Sequence, residues 1–194
     1  MTEKEIDQVL VLRVKNGDDV AFNLLVSKYH RKVIRLVGRL ISDPFEAEDI
    51  AQDVFIKVYR ALPNFRGESA FYTWLYRIAI NTAKNSLNAK LKGPKFTDTT
   101  NSEEDSTLSN EDLFHDNNTP ESILMSKQIA EKIQYAMSAL SEDLRMALTL
   151  REIDGLSYDE IATIMSCPIG TVRSRISRAR EMVAVHVKPH LYKQ

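Results

Sequence analysis

Leu156-Ser157-Tyr158-Asp159-Glu160-Ile161-Ala162 leads into a Pro168-Ile169-Gly170 turn, and Thr171-Val172-Arg173-Ser174-Arg175-Ile176-Ser177-Arg178-Ala179-Arg180 follows it. Ser157 and Glu160 have the spacing of a capping box, which predicts a helix start at Ser157. Ile161, Ile164 and Met165 give that helix one apolar side. Pro168 and Gly170 interrupt the pattern and open a second helix. In the second helix Val172, Ile176, Ala179 and Val183 recur at spacings of 4, 3 and 4, which is one buried stripe. At about 100° per residue, Ser174, Ser177 and Arg178 fall on the opposite side, with Arg173 at its edge. The bland alternative is an amphipathic helix pair with a solvated basic face. An exposed face of Arg and Ser also fits a major groove, where Arg reads guanine and Ser bonds bases or phosphates.

Net charge sharpens this reading. The 194-residue chain carries a formal charge of only −1, with 43% hydrophobic and 27% charged residues, as in ordinary globular proteins. That balance hides an asymmetry. Residues 1–95 hold 16 Lys/Arg against 11 Asp/Glu. Residues 96–126 hold eight acids and no Lys or Arg, and residues 127–194 hold 10 Lys/Arg against 8 acids. Two basic ends joined by an acidic strap suggest two nucleic-acid-facing modules and a connector. The lone Cys167 excludes an intramolecular disulfide and argues against a cysteine metal site; it reads as a small apolar residue in the turn. No apolar run approaches a membrane span and the N-terminus lacks a secretory pattern, so the expected location is the cytoplasm.

Toward the N-terminus the helical period dominates. Helices are predicted over Glu5–Lys15, Asp18–Ile41, Glu46–Leu62 and Ala70–Leu91, with Asp18 or Asp19 as a cap. Their predicted core faces are Phe22, Leu25, Tyr29, Val33, Leu36 and Leu40, then Ala47, Ala51, Phe55, Val58 and Leu62, then Phe71, Leu75, Ile78 and Thr82. Residues 93–119 lack periodicity and are rich in Asp, Glu, Ser, Thr and Asn, which reads as a flexible linker. Thr119-Pro120 then opens a helix through Ile129, Ile133, Met137 and Leu140, and another runs from Ser141 to Asp154-Gly155. No segment has strand period. The predicted fold class is all-α: two small helical domains, 1–92 and 120–194, joined by a flexible acidic linker over 93–119.

Two further features carry chemistry. Trp74, Arg77, Asn81 and Lys84 share one strip of the fourth helix, largely outside its core face. An aromatic ring, two cations and an amide suit melted DNA, where rings stack on bases and cations hold phosphates; Trp74 equally suits the core. Glu46, Asp49 and Asp53 share about one quarter of the third helix's circumference, with Gln52 beside them. That face is a solvated acidic surface, a carboxylate pair for acid–base chemistry, or a docking site for a basic partner. A hydrolase built on the carboxylates would need a metal or nucleophile constellation. His186 and His190 are four apart, but Pro189 is expected to break their helix. No cofactor, metal or small-molecule substrate is expected.

Glu48-Asp49-Ile50-Ala51-Gln52-Asp53-Val54-Phe55 and Phe65-Arg66-Gly67-Glu68-Ser69-Ala70-Phe71-Tyr72-Thr73-Trp74-Leu75-Tyr76-Arg77-Ile78-Ala79-Ile80-Asn81 resemble regions 2.2 to 2.4 of bacterial extracytoplasmic-function sigma factors, the group 4 branch of the sigma-70 family. Leu140-Ser141-Glu142-Asp143-Leu144-Arg145 through Arg180 resembles region 4 of the same family, in its envelope-stress (sigma-E) type. The resemblance implies a non-enzymatic subunit that directs core RNA polymerase to promoters. It implies that Asp49, Gln52 and Asp53 face the beta-prime clamp of polymerase. It implies that Phe65, Arg66, Gly67, Ser69, Trp74, Arg77, Asn81 and Lys84 serve the minus-ten element, the loop and Asn81 capturing a flipped base. Thr171, Arg173, Ser174, Arg175, Ser177 and Arg178 would read a minus-thirty-five element of GGAAC type. Ser177 departs from the family, which carries a bulkier ring there. A membrane-bound anti-sigma factor that holds the chain at the inner membrane is a further implied partner. The alternative is a helix-turn-helix regulator that binds duplex DNA without polymerase; it leaves the Phe65–Asn81 segment and the acidic face unassigned.

Overall fold

A computed structural model of the chain describes residues 2–92 and 131–191. The predicted linker over 93–119 and the helix start at Thr119-Pro120 lie outside the described residues. Among the described residues every regular element is helical. Helix α1 spans Glu3–Lys15, α2 Asp19–Gly38, α3 Pro44–Ala61 and α4 Phe71–Lys92, with a 3-10 turn at Leu62–Asn64 between α3 and α4. A helix over 131–138, here α5, precedes α6 (Glu142–Glu152), α7 (Tyr158–Met165) and α8 (Ile169–Leu191).

Local chemistry fixes most of the helix starts. Thr2 and Glu5 form a capping box on α1, with the Thr2 N–H donating to Glu5 Oε2 at 2.7 Å. Gly17 takes the left-handed conformation (φ +88°) that turns the chain between α1 and α2. Asp18 then caps α2, accepting from the Ala21 N–H at 3.1 Å, while Arg13 reaches it at 2.6 Å. The Arg13 hydrogen bond and the Ala21 N–H hold the Asp18 carboxyl below its ordinary pKa. Asp43 caps α3 and Pro44 occupies its first turn, so α3 begins two residues before the predicted Glu46. Helix α2 stops at Gly38 rather than Ile41; Ile41 itself turns into the core while Leu40 is only half-buried. Helix α8 continues through Pro189 to Leu191, against the predicted break. The proline removes one backbone hydrogen bond, toward the carbonyl of Val185, which lies on an exposed part of the helix where water can serve the carbonyl instead.

The first four helices pack as a bundle around Leu25, Tyr29, Val33, Leu36, Val54, Val58, Leu62 and Leu75. Asp7 is buried in it, but the charge is met by the Tyr29 hydroxyl at 2.5 Å and the Lys28 ammonium at 2.7 Å, the condition under which a buried carboxylate is tolerated. In the second unit, Met146 to Leu150 of α6 are buried without a break, so the middle of that helix is covered all round while its ends reach solvent. Val172, Ile176 and Ala179 of α8 and Ile161 and Ile164 of α7 complete its core, as the stripes predict.

Helix α4 departs most from its prediction. The expected inner stripe of Phe71, Leu75, Ile78 and Thr82 is too narrow. Phe71, Thr73, Leu75, Tyr76, Ala79, Ile80, Thr82 and Ala83 are all buried, which at about 100° per residue sweeps an arc of roughly 200°. Ile78 lies outside that arc and is half-buried. The extra burial comes from α7, which packs on α4 across the boundary between the two units.

The α7 capping box is intact: the Ser157 N–H donates to Glu160 Oε2 at 2.9 Å and the Glu160 N–H to Ser157 Oγ at 3.3 Å. Ser157→Ala should lower stability by about 0.5–2 kcal/mol in urea unfolding, with helix content in the folded state unchanged. A loss below a few tenths of that would show that packing of Ile161 and Ile164 alone sets the α7 start.

Candidate nucleic-acid and polymerase interfaces

The four arginines of α8 sort into two pairs. Arg173 and Arg178 are exposed and, among the described residues, make no hydrogen bond or ion pair. Ser174 and Ser177 are exposed beside them, and the Ser174 hydroxyl donates to the Thr171 carbonyl at 2.9 Å. Thr171 is half-buried in the first turn of α8. Arg175 instead turns inward, donating to Asp143 and, at 3.4 Å, to the Cys167 sulfur. Arg180 is exposed and pairs with Glu152 at 2.5 Å. The periodicity-derived face of Arg173, Ser174, Ser177 and Arg178 therefore stands clear for a groove. Arg175, which the resemblance names among the reading residues, is engaged by Asp143 instead.

On α4 the predicted strip divides in the same way. Asn81 is exposed, Arg77 is half-buried, and neither has a partner among the described residues. The half-buried Trp74 ring packs on Phe65, with centroids 4.8 Å apart, and on Phe71 at 6.1 Å. Lys84 reaches Asp143 at 3.2 Å and Glu142 at 3.7 Å. The loop before α4 borders an open cavity of about 170 Å³. Phe65, Arg66, Gly67 and Ser69 form one wall, as the sequence singled out, and Gly67 adopts φ +76° at its tip. Phe71 lines the cavity too. Sequence reasoning missed the other wall: Gln8, Val11, Leu12 and Lys15 of α1. The signal was faint, since Val11 and Leu12 read from sequence as ordinary apolar residues of a helix, and only the structure leaves Leu12 exposed beside the cavity.

The acidic face of α3 stands largely as predicted. Asp49, Gln52 and Asp53 are exposed and without ion pairs among the described residues. Glu46 leaves the group, because Lys90 and Ser86 of α4 hold its carboxylate at 2.6 and 3.3 Å. Ile56, next along the same face, and Tyr59 are exposed apolar neighbours. Among the described residues no cluster of three or more His, Cys, Asp or Glu side chains is arranged to hold a metal.

The two units meet through ionic and hydrogen-bonded contacts that no local pattern announces. Arg39 pairs with Asp154 at 2.8 Å, and the Tyr72 hydroxyl donates to Glu160. Asp143 joins Lys84 of one unit to Arg175 on α8. Burial, then the bond to Glu160, pushes the Tyr72 phenol up to about 12. For Glu160 burial opposes ionisation, but bonds from Tyr72 and Ser157 outweigh it and hold the carboxyl below its ordinary value.

Residues 25–91 match Sigma-70 region 2 and residues 130–183 match Sigma-70 region 4. The chain is 51% identical over 191 residues to the RNA polymerase sigma-H factor of Pseudomonas aeruginosa, covering 98% of each chain. It is 52% identical over 189 residues to the ECF RNA polymerase sigma-E factor of Escherichia coli K12, covering 97% of this chain and 98% of that one. This chain belongs to the ECF sigma factors. The solved structure of CnrH in complex with the cytosolic domain of CnrY has the same fold, with a TM-score of 0.65 at 19% identity over 93% of this chain and 96% of that one.

The contacts between the units make their separation sensitive to salt and pH. The lowered Glu160 carboxyl contributes above its ordinary pKa and is lost as pH falls through the lowered value. The raised Tyr72 phenol contributes below its ordinary pKa and is lost as pH rises through about 12. A dye pair on the two units should therefore report the shortest distance between these limits, lengthening in about 1 M salt, where the Debye length is roughly 3 Å. Tyr72→Phe should weaken the alkaline limb, leaving the part due to Tyr76, which burial and then Asp154 also push up to about 12. A distance indifferent to salt and pH would mean that apolar packing alone holds the units together.

Proposed function

We propose that this chain binds core RNA polymerase, brings it to promoters with a GGAAC-type minus-thirty-five element, and assists melting at the minus-ten element. The observation that carries this reading is full-length similarity, above half identity, to two RNA polymerase sigma factors. We assign residues 1–92 to core binding and minus-ten recognition, 93–119 to an acidic linker, and 120–194 to minus-thirty-five recognition. Arg173, Ser174, Ser177 and Arg178 read bases, Thr171 acts at the edge of that face, and Arg175 joins them once released from Asp143. Asp49, Gln52 and Asp53 dock on the basic face of the beta-prime clamp. Asn81 and Arg77, with the Phe65–Ser69 loop, act on the opened strand, and Lys84 joins them once released from Asp143. The chain acts without chemistry of its own: binding energy offsets the few kcal/mol needed to unstack each base step. Among the described residues no helix is long and apolar enough to cross a membrane. We place the chain in the cytoplasm, held near the inner membrane by an anti-sigma factor when envelope stress is absent.

Polymerase is needed for a geometric reason. Elements centred roughly 25 base pairs apart lie roughly 85 Å apart at about 3.4 Å per step. Two small domains in contact cannot span that distance, because a 100-residue domain has a radius of gyration of only about 13 Å. In the packed arrangement Lys84 and Asp143 are 3.2 Å apart. Core polymerase supplies the scaffold that holds the units at promoter spacing. A regulator acting without polymerase leaves the exposed Asp49, Gln52 and Asp53 face without a task.

Run-off transcription on a GGAAC-type promoter tests this. Core enzyme plus the chain should give one specific transcript, and the Asp49→Arg, Asp53→Arg double variant should give none while retaining its circular dichroism spectrum. Specific DNA protection of both elements by the chain alone, equal to that with core, would refute the reading.

Asn81→Ala should leave polymerase binding near normal but reduce permanganate reactivity of start-site thymines on duplex promoter. The defect should shrink on a pre-melted template, where unstacking is already met. An equal defect on both would assign Asn81 to binding or folding instead.

A further inference from the structure

We propose that Lys15, at the C-terminal end of α1, is a positioning residue for base capture: it braces the Phe65–Ser69 loop so that the cavity between loop and helix takes one extruded base in a fixed orientation. This rests on the reading of that loop as the base-capturing segment.

The loop has few anchors of its own. The Phe65 N–H closes the 3-10 turn on Leu62 at 3.0 Å, and the Ser69 hydroxyl bonds only to the neighbouring Ala70 carbonyl at 3.4 Å. Arg66 and Glu68 lie 3.9 Å apart, both largely in solvent, where an ion pair holds little. Gly67 has nothing within 4 Å of where a side chain would begin. Little within the loop itself therefore fixes its course. Among the described residues one hydrogen bond ties it to another helix: the Lys15 ammonium donates to the Phe65 carbonyl. The same ammonium lies 6.0 Å from the Phe65 ring centroid, within reach of a cation–π contact.

Both interactions converge on Phe65, whose ring is fixed from behind by Trp74. Lys15 holds the Phe65 carbonyl in front, and that peptide unit sets the direction of Arg66 and Gly67. The cavity they border has an apolar floor, Val11 and Phe71, with polar groups at its rim. That is the lining expected of a pocket that stacks a flat ring and reads its edge. A lysine at the end of a helix is also placed where the helix dipole favours a cation, so the brace is compatible with α1 itself.

The test uses holoenzyme assembled from core polymerase and the full chain. Pre-melted promoters carry each of the four bases, or an abasic site, at the position where the wild-type holoenzyme discriminates most. Competitor-resistant complexes are counted. Wild type should favour one base over the abasic site. Lys15→Met, which keeps the apolar stem and removes the donor, should lower complexes on the favoured base by about tenfold, the order of loss expected when one hydrogen bond from a charged donor is removed, and leave abasic complexes unchanged. Lys15→Arg should restore most of the discrimination. Equal losses on favoured and abasic templates would make Lys15 a backbone-phosphate contact and overturn the proposal, as would an unchanged Lys15→Met. No base preference at any position in the wild type would instead refute the base-capture reading on which it stands. Urea unfolding of Lys15→Met should shift the folding equilibrium by no more than that same tenfold factor, the strength of the brace itself; a larger loss would assign Lys15 a structural role in the bundle.

Discussion

Helix α4 is the wall on which both halves of the molecule lean, and its circumference is the constraint that shapes the rest. Phe71, Leu75, Ala79 and Ala83 point into the four-helix bundle and are almost wholly buried. Tyr72, Tyr76, Ile80 and Lys84 lie around the next part of the circumference, toward α6 and α7. Only the remaining arc, with Arg77, Asn81 and the outer edge of Trp74, is left for another molecule. The alanines matter as much as the large residues. With no side chain beyond Cβ, Ala79 and Ala83 let neighbouring helices approach the backbone, so one helix can be packed on two sides.

The contact between the units is polar at its edges, and that decides its character. Arg39–Asp154, Lys84–Asp143 and Tyr72–Glu160 each join a group of the first unit to one of the second. Partly exposed pairs of this kind contribute at most about 1 kcal/mol each, so they favour an arrangement that other ligands can displace. Asp143 is the most economical of these groups, since one carboxylate neutralises a cation of α4 and a cation of α8.

Burial around the loop before α4 follows a different logic. Phe65, Phe71 and Trp74 form an aromatic cluster whose centroids lie 4.8 to 6.3 Å apart. Such edge-on and tilted packing fixes ring positions without closing the surface above them. Helix α1 then supplies the missing side. The cavity is thus made by two segments far apart in sequence, a helix on one side and a loop on the other.

What the sequence determined by itself was whatever is local or periodic. Ser157 and Glu160 specify a helix start through bonds within one turn. Val172, Ile176 and Ala179 specify which side of α8 is buried, and hence that Arg173, Ser174, Ser177 and Arg178 face outward. The same geometry exposes Asp49, Gln52 and Asp53 opposite Ala47, Ala51 and Phe55. Tertiary structure alone decided which charged groups remain available. Arg175 and Lys84 carry the same residue-type signal as Arg178 and Arg77, yet both are captured by Asp143. The pairs that make these choices, Lys15–Phe65, Lys84–Asp143, Tyr72–Glu160 and Arg39–Asp154, are separated by 50, 59, 88 and 115 residues. Hydrophobic period says that a face is covered and is silent about by what, because burial is non-directional while an ion pair or a hydrogen bond requires a particular partner at a particular place.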